Sequence, residues 1–141
     1  MKLFKPLILS AMLALAPASH AHVHAHDGHQ HETHDVAAAD APSITGFAIA
    51  PDPEGGFIVT LGVENFTFLE AGESAAPGVN AGHVHLSING HDLGIYYAPV
   101  FRLEELPFGP HDLKVVLSTP DHADYAINGR AIAATTTITV K

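Results

Sequence analysis

The stretch HVHLSINGHDLG, residues 83–94, holds two alternating runs around one dipeptide, and its reading decides the fold. Asn89-Gly90 is the strongest short signal for a β-hairpin, because a type I′ turn needs positive φ at both central positions. A two-residue loop sets the register: Ile88 faces His91, Ser87 faces Asp92, Leu86 faces Leu93, His85 faces Gly94, Val84 faces Ile95 and His83 faces Tyr96. Directly opposed residues share a face. Val84, Leu86, Ile88, Leu93 and Ile95 then fall on an apolar side, and His83, His85, Ser87 and Asp92 on a polar one. His91 sits at the tip.

Outward from the hairpin the texture is similar. Runs at 43–50, 56–68, 100–106, 112–118 and 131–140 are rich in β-branched and aromatic residues and are punctuated by Gly, Pro and Asn. None keeps a helical period over ten residues. With 83–88 and 91–97 they make about seven strands, which predicts an all-β protein, a single antiparallel β-sandwich of immunoglobulin-like or cupredoxin-like type over 43–141. The segment 69–82 is the longest internal loop.

Residues 1–21, MKLFKPLILSAMLALAPASHA, have the order of a signal peptide: two lysines, an apolar run, then small residues. Export to the periplasm or the exterior is the expectation, with no membrane span, since no other stretch approaches the ~20 apolar residues a spanning helix needs. Losing Lys2 and Lys5 leaves four basic residues against fifteen acidic ones. That balance argues against nucleic acid, which demands clustered Lys and Arg. Met1 and Met12 go too, so the exported chain has no sulfur. Disulfides, thiolate zinc sites, blue copper and thioether Cu(I) sites are excluded, and a metal site must use nitrogen and oxygen.

Residues 22–42 have almost no large apolar side chain, so we expect a disordered His-rich segment. It contains His22, His24, His26, His29, His31 and His34, six histidines in thirteen residues. Such tracts bind late first-row divalent ions by intrinsic affinity. Cleavage after Ala21 would begin the chain His22-Val23-His24, whose amine, amides and third-residue imidazole suit Cu(II) or Ni(II). A solubilising tail is the competing reading.

In the domain, His83 and His85 lie on one strand face with Cα atoms under ~7 Å apart, and both imidazoles can turn to one ion at ~2.0–2.1 Å. Gly94 opposite His85 leaves room. Antiparallel alternation of strands brings the loop after Ser118, with Asp121 and His122, to the His83 end. His111 then goes with the hairpin tip. The candidate ligands are therefore His83, His85 and His122, with Asp121 as ligand or partner of an imidazole N–H, and His111 in a second grouping. A solvated HxH pair, ordinary turn chemistry at Asp121-His122 and a turn-capping His111 are the structural alternatives.

HVHLSING, FGPHDLKVVLS, PDHADYAINGRAI and TTTITV together resemble a group of small exported bacterial β-sandwich proteins with an HxHL…NG hairpin and a DH loop, over about 60 residues. That resemblance implies fold and export more than activity, and points to His83, His85, His111, Asp121 and His122. Periplasmic copper-resistance sandwiches are an analogy only, since the chain lacks their Asp-x-His spacing and opening strand.

The functional expectation is an exported protein that buffers, scavenges or delivers divalent copper or zinc, with a metal transporter or metalloprotein as partner. Neutral imidazole binds metal, so affinity should fall as pH drops through the histidine range near ~6.5. A structural or interaction β-module with an incidental tail is the alternative. A zinc or copper enzyme is a lesser one, because no Gly-x-Ser-x-Gly elbow, phosphate loop or HExxH is present.

Overall fold

The structure is a computed structural model and describes residues 31–141. Residues 1–21, expected as a leader, and His22, His24, His26 and His29 lie outside the described residues. Among those described, every regular element is a strand: β1 (Thr33–Asp35), β2 (Ser43–Pro51), β3 (Phe57–Glu64), β4 (Thr67–Phe68), β5 (Ala81–Ile88), β6 (His91–Tyr96), β7 (Val100–Leu103), β8 (Gly109–Ser118), β9 (Asp124–Ile127), β10 (Arg130–Ala131) and β11 (Ala133–Val140).

Two sheets form. In the larger, β5 lies between β6 and β8, and β8 lies between β5 and β11; β9, β10, β1 and β4 extend the end where β5 begins. The smaller sheet is antiparallel, in the order β2, β3, β7. One core joins them. Val84, Leu86, Leu113, Val115, Leu117 and Tyr125 from the large sheet pack with Val59, Leu61 and Leu103 from the small one. Alternation along β5 and β8 puts these side chains inward and leaves His83, His85 and Ser87 on the opposite face.

The expected hairpin is present, with Asn89 at φ 52° and Gly90 at φ 80°. Its register is corrected beyond the turn. Ile88 pairs with His91 and Ser87 with Asp92, but then Leu86 pairs with Gly94, His85 with Ile95 and Val84 with Tyr96. A bulge gives β6 one extra residue, Leu93, which stands 49% exposed instead of on the apolar face. The shift turns Tyr96 inward, where it stacks on Phe101 with ring centroids 3.9 Å apart. Ile95 and Val116, not Gly94, flank His85.

Two further differences matter for the site. The run 56–68 is broken at Asn65, whose φ of 52° ends β3 before the short β4. More important, residues 31–42 are part of the fold. β1 runs parallel to β9, Val36 packs on the core, Pro42 is fully buried, and the Gly129 N–H donates to the Asp35 carboxylate at 2.6 Å. Charged and polar composition hid this, because a three-residue strand gains its stability from its partner strand and not from its own apolar content.

Candidate metal centre

The centre is built at the start of β5. Gly82, at φ 153°, brings the backbone so close to Ser118 that a Cβ would overlap the Ser118 carbonyl oxygen. That approach sets the pairing of His83 with Ser118, and hence the end of β8 beside His83. Antiparallel order thus delivers the 119–123 turn where alternation of strands predicts it.

Residues 120–122 form a three-residue hairpin loop between Thr119 and Ala123. The His122 N–H donates to the Thr119 carbonyl at 3.0 Å, and Thr119 and Ala123 close the ladder at 2.8 Å. His122 then takes φ 67°, the left-handed position that such loops usually give to Gly. A backbone conformation that disfavours most side chains is held here by a histidine that turns back over β5. The far side of the turn is anchored too: the Tyr125 hydroxyl donates to the Ala81 carbonyl at 3.1 Å and accepts from the Ala81 N–H at 3.0 Å. Ser118 Oγ donates to Asp124 at 3.0 Å.

His83, His85 and His122 each offer a nitrogen, and these atoms all lie within 4.8 Å of one another. The Nε2 atoms of His83 and His85 are 3.0 Å apart, and His122 Nδ1 is 3.5 Å from His85 Nε2. Two nitrogens on one ion at ~2.0–2.1 Å stand roughly 3.3 Å apart in a tetrahedron and roughly 2.9 Å apart as neighbours in a square plane. The separations of 3.0 and 3.5 Å lie close to those values.

Burial grades across the group. His83 is 3% exposed, under the turn and the 69–73 loop, with Tyr97 against it at a centroid distance of 5.4 Å; His85 is half-buried and His122 exposed. Burial first, then the neighbouring His85 and His122, pushes His83 down to about 4. Burial and His31 lower His85, with Asp124 and Asp92 opposing. Both shifts favour the neutral form that binds metal.

The other candidates separate from this group. Asp121 lines a neighbouring groove with Glu32, His34 and Asp40, and its carboxylate is not among the gathered donors. His111 goes with the hairpin tip, as expected, but both its nitrogens serve the fold: Nε2–H donates to the Pro107 carbonyl at 2.7 Å, and Nδ1 accepts from the Asn89 amide at 3.1 Å. His34 packs edge-on against Tyr125. His31 stands against His85, with centroids 5.1 Å apart. Asp124 and Tyr97 are neighbours that the sequence reading did not single out. A signal for Asp124 exists in Asn128-Gly129, a second hairpin dipeptide at φ 50° and 75°, which defines β9 and β10 and so the face that Asp124 shares.

The fold and site define an all-β protein carrying a three-histidine group compatible with metal binding. Compared with protein-family models, curated proteins and solved structures, the chain matches none.

Proposed function

We propose that the protein is an exported metal-binding protein that buffers, scavenges or delivers Cu(II) or Zn(II), with His83, His85 and His122 as its defined site. The observation that carries this is the convergence of three imidazole nitrogens within 4.8 Å. A solvated HxH pair has no reason to be met by a third histidine from a strained turn. The leader-like residues 1–21 support export to the periplasm or exterior, and the tract from His22 to His34 supports a capture role ahead of transfer to a transporter or metalloprotein. Two sheets over one core support a β-sandwich of immunoglobulin-like or cupredoxin-like type.

The test is calorimetric titration of Cu(II) and of Zn(II) into residues 22–141, the same chain with His22, His24, His26 and His29 changed to Gln, and that variant with His83→Gln added. One tight equivalent that survives the tract substitutions and is lost with His83→Gln is the expected result. Binding lost with the tract alone would confine any metal chemistry to the tail and leave the domain an interaction module.

A further inference from the structure

The register of β1 brings a fourth histidine to the edge of the triad. Parallel pairing matches Thr33 to Asp124 and His34 to Tyr125. The Asp124 N–H donates to the Glu32 carbonyl at 2.8 Å, which fixes the backbone just after His31. Counting back along both strands sets residue 31 level with residue 122.

The His31 ring lies edge-on to His85 at 81°, with centroids 5.1 Å apart. Within the triad the centroid separations are 5.0, 4.7 and 5.6 Å. Two imidazoles on one tetrahedral ion have centroids roughly 5 Å apart, from metal–nitrogen bonds of ~2.0–2.1 Å plus the ring radius. His31 is therefore in edge contact with one member of the triad, outside the gathered donor group, and a side-chain rotation separates it from the ion position. His31 and His85 share a cleft with Asp92 and Asp124, whereas His83 and His122 line another. His85 has an imidazole neighbour in each direction.

We propose that His31 is the fourth protein ligand of the centre. On metal loading its side chain turns from the edge of His85 into the coordination position that the triad leaves open. The inference rests on the metal-binding reading above and deepens it. Three protein ligands leave a position for water or substrate, whereas four close a tetrahedral site. A closed centre holds its ion, which suits buffering and delivery more than catalysis. It also makes a histidine of the N-terminal tract part of the domain site, so metal loading should tighten β1 against β9.

The test uses residues 22–141 with His22, His24, His26 and His29 changed to Gln, and Cu(II) as the probe. Electron paramagnetic resonance counts the nitrogen donors at one equivalent, and competition with a chelator gives the affinity. Four nitrogens are expected, falling to three in His31→Gln, with a loss of affinity of at least about tenfold, since even groups that only support a ligand cost that much. His34→Gln, which changes the ring packed on Tyr125, should keep four nitrogens and the parent affinity. The metal-free melting temperature of each variant checks its fold. Three nitrogens in the parent, or four in His31→Gln at unchanged affinity, would overturn the fourth ligand and leave the triad intact. Cu(II) binding unchanged in His85→Gln, or absent from the parent, would instead overturn the metal-binding reading itself.

Discussion

The Nε2 atoms of His83 and His85, two residues apart on β5, stand 3.0 Å from each other. Burial favours the neutral form of both rings, and in a neutral pair one Nε2 carries the proton that the other accepts. An ion bound to both atoms must move that proton to Nδ1. The metal-free state is thus a hydrogen-bonded pair that hides its own donor atoms, and metal binding replaces one contact by two.

This pairing has a pH signature. An unfolded His83 takes its proton near ~6.5, whereas the folded one does so only at about 4. Between those values the unfolded state binds more protons, so stability is fully present above ~6.5 and is lost as pH falls toward 4. Thermal melts of the metal-free protein from pH 7.5 to 4 should show this loss, and His83→Gln should flatten it. A parent melting temperature that rises on acidification would contradict the assignment. For metal binding, the shifts at His83 and His85 move proton competition below the ordinary imidazole range expected from sequence.

At position 122 binding and stability should part company. A left-handed φ costs most residues about 1–2 kcal/mol, and Gly relieves it at some cost in unfolded-chain entropy. His122→Gly is expected to leave metal-free stability within about 1 kcal/mol of the parent, or higher, while abolishing tight binding. Marked destabilisation with binding retained, in urea melts beside calorimetry, would show that His122 serves the turn alone.

Gly82 offers the opposite case. In Gly82→Ala the new methyl meets the Ser118 carbonyl at an unfavourable φ, so we expect a loss of more than about 2 kcal/mol and weakened metal binding as His83 is displaced. Denaturant unfolding measures the first, calorimetry the second. Wild-type stability would mean that this approach of strands does not set the site.

His111→Ala separates the two histidine groupings. It strips partners from the Pro107 carbonyl and the Asn89 amide, and should cost about 1–3 kcal/mol with unchanged metal stoichiometry. Loss of one bound equivalent in a folded variant would restore His111 as a ligand.

The boundary of the folded unit is itself testable. Residues 43–141 lack β1, Val36 and the buried Pro42, and should melt at least about 5 °C below residues 31–141. Amide exchange would show the difference concentrated in β9. Equal melting temperatures would make β1 an accessory without energetic weight.

Local chemistry made much of this protein legible. Asn89-Gly90 announces its turn because few dipeptides accept positive φ twice, and strand alternation puts His83 and His85 on one face because the pleat repeats every two residues. The absence of sulfur from residues 22–141 restricts any site there to nitrogen and oxygen, and the spacing of strands predicts that the DH turn returns to His83. These properties depend only on neighbours in the chain.

What lay beyond the sequence depends on residues far apart in it. The bulge at Leu93 moves β6 by one residue, because packing of Tyr96 on Phe101 outweighs the simple alternation of the hairpin. β1 is paired with β9, some ninety residues away, and that pairing brings His31 to His85. His122 was already the favoured third ligand, but leaving Asp121 out of the donor group required the turn's backbone, in which one left-handed residue decides which side chain points back over β5. The sequence by itself determined that histidines would share a strand face. Tertiary structure decided which of them meet, because an ion-sized cluster needs positions correct to a fraction of an ångström, and those come from packing between strands rather than from any one strand's own pattern.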